Sequence, residues 1–359
     1  MDIIKLILCF STAFGVSILC TPFVKVIAQK IGAIDIPDAR RVHKHPIPRM
    51  GGLAIFYGFL IAVVCFLKVD TQLRGILIGS LIIVALGIVD DVKQLGAKIK
   101  FVIQIVVAGI VVFHGVKIEA LSVPSFINSA GYLELGKLSI PFTIIWIVGV
   151  TNAVNLIDGL DGLAVGVSSI ATFSLFFIAI LAAEFQVALL AAALAGGCLG
   201  FLPYNFNPAK IFMGDTGSTF LGYMLSVICI QGLFKGYAVI SFIIPFLILG
   251  LPIFDTLFAI VRRIWNKKPI MAPDRGHLHH KLMDLGFSQK QTVAILYIIT
   301  SILALSAVVV LEVGAYTAAV FIVTILAFGT FAYKMYSTNH KDDVVGEEVP
   351  KTEEKSDDI

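Results

Sequence analysis

Two adjacent carboxylates, Asp90 and Asp91, end an apolar run of only 15 residues. Acids at the edge of a membrane-length run are costly to bury and usually functional. Mg²⁺ takes oxygen ligands and is commonly held by one or two carboxylates together with substrate phosphates. Lys93, Lys98 and Lys100 follow and suit a phosphate that must be neutralised. The segment predicts a cation site or a general base; the alternative is a solvated helix end flanked by ordinary basic residues.

A second polar segment ends another apolar run. Asn155, Asp158 and Asp161 recur at every third position, with Gly159 and Gly162 between and after the acids. A turn that only leaves the membrane does not need three oxygen-bearing side chains at this spacing. The glycines would let the backbone approach a ligand closely. We therefore expect this segment to join the same cation or phosphate site.

A third segment, 212–218, opens the eighth apolar run and contains Asp215. Asp215 or Thr216 could cap the helix that follows. A helix N-terminus also attracts phosphate, and a carboxylate beside it could hold a bridging cation.

The fourth segment, 273–280, contains Arg275, His277, His279 and His280. Zinc is disfavoured, because no cysteine is near and the adjacent His279 and His280 cannot share one helical face. Arg275 and the histidines suit an anion or sugar hydroxyls better. The alternative is a solvated polar loop.

A basic segment, 40–52, contains Lys44 and also two prolines and a Gly-Gly pair. Such a cluster beside a membrane often binds only anionic lipid. The prolines and glycines instead indicate a shaped loop, so the sequence leaves both interpretations open.

Composition indicates which kind of secondary structure positions these polar segments. Of 359 residues, 58% are hydrophobic and 14% are charged. Mean hydropathy is +0.95, which argues against a soluble enzyme. Eleven uncharged runs are long enough, or nearly so, for spanning helices of about 20 residues: 6–24, 50–67, 75–89, 101–116, 138–157, 162–183, 185–209, 216–234, 236–254, 291–311 and 313–333. The run from 185 contains Pro203, so its helix should end near Leu202.

Lysine and arginine set the orientation of such spans. With the N-terminus outside and the C-terminus in the cytoplasm, 21 basic residues face the cytoplasm and 6 face outward. All the polar segments then fall on the cytoplasmic face. We predict an all-α polytopic membrane protein with about 11 transmembrane helices and its active site on that face. Residues 1–338 form the membrane domain, and 339–359 form an acidic, disordered cytoplasmic tail.

Acids, an amide, lysines and histidines at one membrane surface suit metal-assisted phosphoryl transfer from a soluble nucleotide-linked donor to a lipid-borne acceptor. The sequence has no P-loop, Gly-x-Ser-x-Gly or dinucleotide motif. A secondary transporter is a remote alternative, because its polar groups would lie near the bilayer midplane.

The four segments together resemble the polyprenyl-phosphate N-acetylhexosamine-1-phosphate transferases, over about residues 25–331. The resemblance implies that a UDP-N-acetylhexosamine gives its sugar 1-phosphate to undecaprenyl phosphate and releases UMP. It implies a need for Mg²⁺, with Mn²⁺ as a substitute. A one-step transfer and a covalent route both stay open.

The resemblance also implies roles for single residues. Asp90 matches the proposed base for the lipid phosphate, and Asp161 matches a position that contacts uracil. Together with the interpretation of the segments, it gives three groups: Asp90, Asp91 and Asp158 for catalysis; Asp215 and Asn155 for the metal; and Lys44, Lys100, Asp161, Arg275, His277, His279 and His280 for substrate binding.

Two branches of the family differ in these segments. The lipid I branch, which transfers phospho-N-acetylmuramoyl-pentapeptide, tends to have three adjacent histidines followed by Phe-Glu, and a lysine three residues past the acid pair. This chain has Leu278 between histidines, Lys281 after them, and Gln94 at the lysine position. These residues resemble the branch that uses UDP-N-acetylglucosamine to start teichoic-acid linkage units, O-antigen or other wall polymers. The lipid I enzyme is the alternative.

The expected partners are the lipid bilayer, undecaprenyl phosphate and the sugar nucleotide, with no nucleic acid. A homodimer is compatible with the sequence. The expected location is the plasma membrane of a bacterium, which is the inner membrane where there are two.

Overall fold

A computed structural model describes residues 2–37, 45–122, 132–233, 243–269, 276–313 and 323. Within these ranges the protein is mostly helical, as the apolar runs predict. The helices are α1 (Ile3–Lys30), α2 (Gly52–Phe66), α3 (Thr71–Lys93), α4 (Ala97–Phe113), α5 (Ser139–Leu156), α6 (Leu163–Leu181), α7 (Phe185–Asn205), α8 (Gly214–Leu233), α9 (Ile243–Ile248), α10 (Gly250–Trp265), α11 (Leu278–Asp284) and α12 (Gln289–Val313).

Two short antiparallel hairpins accompany the helices. Strand β1 (Ile34–Asp35) pairs with β2 (Ile47–Pro48), and β3 (Ala120–Ser122) pairs with β4 (Tyr132–Glu134). Both lie outside the apolar runs, so they do not alter the prediction that the spans are helical. A 3-10 turn, Gly136–Leu138, leads into α5.

The prediction of membrane spans is confirmed in its coarser form. Among the described residues, six helices are long and apolar enough to cross a membrane: α1, α3, α5 with the turn before it, α6, α7 and α12. Large apolar side chains such as Phe23 of α1, which is 71% exposed, face outward as lipid contact requires. The total of eleven spans and the orientation stay predictions, and most of run 313–333 and the acidic tail lie outside the described residues.

The predicted end of α7 near Leu202 is wrong by one turn. The helix continues through Pro203 to Asn205. Proline removes one hydrogen bond of the last turn, but the buried Asn205 side chain holds that turn in place. Its oxygen accepts from Gly162 N at 3.1 Å, and its nitrogen donates to Ile211 O at 3.1 Å.

Helix α8 is the central element of the bundle. Most of its residues are buried, among them Phe220, Tyr223 and Met224, and it packs against α2, α3, α5 and α6. Its first turn meets the last turns of α3 at backbone contact. A Cβ on Gly87 would overlap the Cα of Thr216, so only glycine allows this approach. The close approach places the acidic end of α3 against the beginning of α8.

We expect Gly87→Ala to push α3 and α8 apart and to reduce the free energy of unfolding by about 1–3 kcal/mol. Thermal unfolding in detergent measures the effect. Gly109→Ala is the matched control, because Gly109 is also helical and a Cβ there meets no atom within 4 Å. Equal melting temperatures for the two variants would contradict the close packing described here.

Candidate active site

Lys100 joins two acids that lie far apart in the sequence. Its Nζ is 3.0 Å from Asp90 Oδ2 and 2.7 Å from Asp215 Oδ2. Asp90 lies in the last turn of α3, Lys100 in the first turn of α4 and Asp215 in the first turn of α8. The three side chains are 11%, 23% and 16% exposed, respectively. The structure therefore brings together three of the residues that the sequence marks for chemistry.

The end of α3 holds the Asp90 carboxylate in place. Gln94 ends the helix in a left-handed conformation, with φ of 50°. This turn carries the chain back, so that Leu95 N donates to Asp90 Oδ1 at 2.6 Å. With one oxygen bonded to the backbone, Asp90 presents its other oxygen to Lys100 and to a ligand that binds beside it.

Asp91 lies behind this pair and caps α8. Its Oδ1 accepts from Asp215 N at 2.9 Å. Its Oδ2 accepts from Thr216 N at 3.1 Å and from Thr216 Oγ1 at 2.6 Å. Its side chain is fully buried, and Arg49 Nε lies 3.8 Å from Oδ1. The first N–H groups of a helix have no partner inside the helix, and here a carboxylate from another helix accepts two of them.

This cap differs from two expectations of the sequence. Neither Asp215 nor Thr216 caps α8 with its own side chain; Asp91 does so instead. The N–H groups of Asp215 and Thr216 are also taken, so the start of α8 does not offer them to a phosphate. The geometry gives Asp91 a positioning role, where the sequence assigns it to catalysis together with Asp90.

The segment from Asn155 to Asp161 contributes to the site unevenly. Asn155 Nδ2 donates to Ser218 Oγ at 2.7 Å, so its oxygen is the atom it can offer to a cation. Asp161 Oδ2 instead accepts from Asn207 Nδ2 at 2.9 Å and from Ala209 N at 3.0 Å. Asp161 thus braces the loop between α7 and α8 with one oxygen.

Asp158 lies between these two residues, outside the helices. Burial raises the pKa of its carboxyl to about 7, and the negative charge of Asp215 adds to the rise. Asp158 N donates to Asn155 O at 3.2 Å, so the two residues lie in the same turn after α5.

The two glycines of this segment face protein groups. Gly162 has φ of 77°, and its carbonyl accepts from Tyr297 Oη at 2.5 Å. A Cβ on Gly159 would lie 2.5 Å from His279 Nε2. The expectation that they open the backbone to a ligand is therefore wrong for this structure: they make room for Tyr297 and His279.

The described part of the histidine segment, residues 276–280, is built into the protein and is not a solvated loop. His277 and His279 are 5% and 3% exposed, and their rings stack with centroids 5.9 Å apart. His280 lies beside them, its ring centroid 4.2 Å from that of His279. Burial lowers the pKa of His279 to about 4, and the rings of His280 and His277 act in the same direction. His279 is therefore neutral near pH 7.

Three residues near the site were not predicted: Asp255, Arg49 and Ser218. Asp255 Oδ2 lies 2.8 Å from His277 Nδ1. Asp255 ends the apolar run 236–254, which is the same signal that marks Asp90, so the sequence contained the evidence for it. Nothing in the spacing of Arg49 or Ser218 distinguishes them from neighbouring polar residues.

Two predicted residues, Lys44 and Arg275, lie outside the described residues. Nine of the other ten are placed in two groups. In the first, Asp90, Lys100 and Asp215 are in direct contact, Asp91 accepts from Asp215 N, Asn155 donates to Ser218 one turn further along α8, and Asp158 follows Asn155 in the next turn. His277, His279 and His280 form a second group that meets the first at Gly159. Asp161 lies at the edge, against Asn207.

The residues fit a magnesium ion that substrate completes. In the described part of the chain, no three Asp, Glu, His or Cys side chains converge to hold a metal by themselves. Asp215 nevertheless directs one oxygen at a cationic group, Lys100 Nζ, and the Asn155 side chain, whose nitrogen is bonded to Ser218 Oγ, has its oxygen left to offer. Mg²⁺ usually keeps several waters and binds one or two carboxylates plus substrate phosphates, so one carboxylate and one amide oxygen without a full cage suit it.

Comparison with known proteins adds independent evidence. A model described as glycosyl transferase family 4 matches residues 73–233. The chain is 48% identical, over 85% of each sequence, to the probable undecaprenyl-phosphate N-acetylglucosaminyl 1-phosphate transferase of Bacillus subtilis. It is 35% identical to the decaprenyl-phosphate N-acetylglucosaminephosphotransferase of Mycolicibacterium smegmatis, over 82% of this chain and 80% of that protein. It is 31% identical to the phospho-N-acetylmuramoyl-pentapeptide-transferase of Caldicellulosiruptor bescii, over 86% of this chain and 97% of that protein.

The raised pKa of Asp158 predicts that cation affinity depends on pH. Below pH 7 the carboxyl is protonated and neutral, and above pH 7 it is ionised and attracts a cation. We expect Mn²⁺ affinity of the purified protein to rise by up to about tenfold between pH 6 and pH 8, because the ionised fraction of a carboxyl with a pKa of about 7 rises about tenfold over that interval. Electron paramagnetic resonance of free Mn²⁺ measures it.

Asp158→Asn should bind Mn²⁺ more weakly at pH 8 and lose most of this rise. Asp284→Asn, an exposed change on α11, should keep the wild-type profile. If Asp158→Asn kept the full pH dependence, Asp158 would not be the titrating group.

Proposed function

The chain belongs to glycosyl transferase family 4 and to the polyprenyl-phosphate N-acetylhexosamine-1-phosphate transferases within it, and from that premise we propose the reaction it catalyses. It transfers N-acetylglucosamine 1-phosphate from UDP-N-acetylglucosamine to undecaprenyl phosphate. The products are UMP and undecaprenyl-diphosphate-N-acetylglucosamine. This is the first membrane step of a cell-wall or surface polysaccharide, at the cytoplasmic face of the bacterial plasma membrane.

One observation carries the proposal. Lys100 Nζ lies between Asp90 and Asp215, which come from the ends of two apolar helices. A transfer between a soluble diphosphate and a lipid phosphate needs cations and acids together at the place where a lipid headgroup surfaces. Phosphoryl transfer depends mainly on positioning and charge neutralisation, and this group offers both.

The donor is proposed from two sources. The relative from Bacillus subtilis is named as an N-acetylglucosaminyl 1-phosphate transferase and is more similar than the muramoyl-pentapeptide transferase from Caldicellulosiruptor bescii. In the chain itself, Gln94 and the interrupted histidine run depart from the lipid I pattern. The muramoyl-pentapeptide donor is the alternative.

The proposed chemistry divides the acids by role. An oxygen of the lipid phosphate attacks the phosphorus that carries the sugar, and the bond from that phosphorus to UMP breaks. Asp90 faces the acceptor and takes the proton of a protonated lipid phosphate. The second pKa of a phosphate monoester is about 6, so the acceptor is only partly protonated near neutral pH and this base matters most under acidic conditions.

Asp215 and the oxygen of Asn155 would hold Mg²⁺, which when bound neutralises charge on the donor diphosphate. Asp91 keeps Asp215 in place through the first turn of α8. Lys100 has three N–H donors, so its ammonium can keep one acid contact while it donates to a phosphate oxygen. Lys44 and Arg275 are proposed as further cationic contacts to the substrates.

The direct test of the function uses purified protein with labelled UDP-N-acetylglucosamine, undecaprenyl phosphate and Mg²⁺. We expect UMP and a lipid-soluble label to form in equal amounts, and EDTA to stop the reaction. Turnover of UDP-N-acetylmuramoyl-pentapeptide, with none of the simple sugar nucleotide, would reverse the donor assignment. Absence of transfer from either donor would refute the proposed function.

The division of roles predicts different defects for two single variants. Asp215→Asn should weaken metal dependence and donor binding together, because it removes a cation ligand. Asp90→Asn should leave donor binding nearly intact and reduce turnover. The reduction should be greatest below pH 6, where it should reach a factor of about 10²–10⁴.

The measurements are UDP-N-acetylglucosamine affinity with and without Mg²⁺, and rate against pH. Asp284→Asn serves as the control on an exposed acid. If Asp90→Asn abolished metal-dependent donor binding while Asp215→Asn kept it, the two roles would be the reverse of those proposed.

A further inference from the structure

The Asp255 carboxylate makes two contacts with the start of α11. Its Oδ2 lies 2.8 Å from His277 Nδ1, and its Oδ1 accepts from Leu278 N at 2.8 Å. The side chains of Asp255 and His277 are 8% and 6% exposed. A buried carboxylate on a ring nitrogen makes that nitrogen the proton donor, since a carboxylate can only accept.

Helix α10 holds the neighbouring backbone as well. Arg262 Nη1 donates to Gly276 O at 2.9 Å. Asp255 and Arg262 are seven residues apart, so they lie on the same face of α10. Three consecutive residues, 276–278, are therefore fixed by one helix face, immediately after the segment that contains Arg275.

The contacts continue from His277 to the segment that holds Asn155 and Asp158. The rings of His277 and His279 are nearly parallel, with an angle of 6° between their planes. His279 Nε2 then lies against Gly159, where a Cβ would come within 2.5 Å. Gly159 follows Asp158 directly in the sequence. Asp255 is thus connected through two buried rings to the segment that holds Asn155 and Asp158.

We propose that Asp255 is a positioning residue for the donor: it fixes the ring of His277 with Nδ1–H toward α10 and Nε2 directed to the sugar nucleotide. The proposal rests on the proposed function, because it names a group that acts on the donor of that reaction. A neutral imidazole whose Nδ1 donates has a lone pair at Nε2, which accepts a hydrogen bond from a hydroxyl or amide N–H of the N-acetylhexosamine. Asp255 itself touches no substrate.

Asp255→Asn tests the role with almost no change in volume. An amide can offer its NH₂ to His277 Nδ1, which would favour the opposite tautomer and leave Nε2 as a donor. We expect the KM for UDP-N-acetylglucosamine to rise about 10- to 100-fold, the range that follows when a buried hydrogen-bonding group is left without its partner. We expect kcat to fall by less than about threefold, and Mn²⁺ affinity without donor to stay at the wild-type value.

A double-mutant cycle tests whether Asp255 acts through His277. His277→Ala should raise KM by a similar factor, and adding Asp255→Asn to it should change KM little further, because the two residues act as a unit. Independent, multiplying effects of the two changes would overturn the proposal. So would a kcat defect in Asp255→Asn with unchanged KM.

Leu278→Pro separates the histidine contact from the helix cap. Leu278 is the first residue of α11, where proline is tolerated, and His277 before it has φ of −66° and ψ of 152°, which suit a residue preceding proline. This variant removes the N–H bonded to Asp255 Oδ1 and keeps the histidine contact. We expect its KM to stay within about threefold of wild type; a KM as high as that of Asp255→Asn would assign Asp255 to capping alone.

Two further measurements keep the outcomes distinct. Thermal unfolding of each variant identifies one that fails to fold; if Asp255→Asn does, His277→Gln replaces it, and an unchanged KM there would overturn the proposal. Asp284→Asn, at the other end of α11, is the control for an acid without a histidine contact. If wild-type protein transfers the sugar phosphate and Asp255→Asn matches this control, the positioning role fails and the proposed function stands. If wild-type protein transfers nothing, both fail.

Discussion

The carboxylate of Asp91 joins the end of α3 to the beginning of α8, and the arrangement of Asp90, Lys100 and Asp215 depends on this contact. Its oxygens accept from Asp215 N and from both donors of Thr216. A fully buried carboxylate is costly unless several donors satisfy it, and the start of a helix provides donors that lack partners. The contact requires the backbones of α3 and α8 to approach each other closely at Gly87. The same approach therefore packs the two helices and brings the Asp91 carboxylate to its donors.

With α8 fixed in this way, Asp215 and Asp90 face each other across Lys100. Two acids in a poorly hydrated place repel each other, and the lysine offsets that repulsion from the first turn of α4. The proposed donor diphosphate and its cation would bring charges of both signs into the site, so the contacts of Lys100 with the two acids could be replaced by contacts of a similar kind.

The histidine group follows the same rule on the other side of the site. Asp255 satisfies His277 and the start of α11, as Asp91 satisfies the start of α8. In both places an acid at the end of an apolar run holds the first turn of another helix. The histidines contact the segment that carries Asn155 and Asp158 where His279 lies against Gly159. The position of α10 therefore affects the position of that segment through Asp255 and the two histidine rings.

The sequence by itself indicated the helical architecture, the family and most of the residues that lie together at the site, although Asp255, Arg49 and Ser218 were not among them. Hydrophobic length indicates a helix locally, and an acid that ends an apolar run is visible without any fold. The sequence could not assign partners, because Asp91 and Asp215 are 124 residues apart, and Lys100 and Asp215 are 115 apart. Only the tertiary structure decided that Asp90 faces the site while its neighbour Asp91 caps α8. Successive residues of a helix point about 100° apart, so the packing of α3 against α8 determines which of the two carboxylates meets the start of α8.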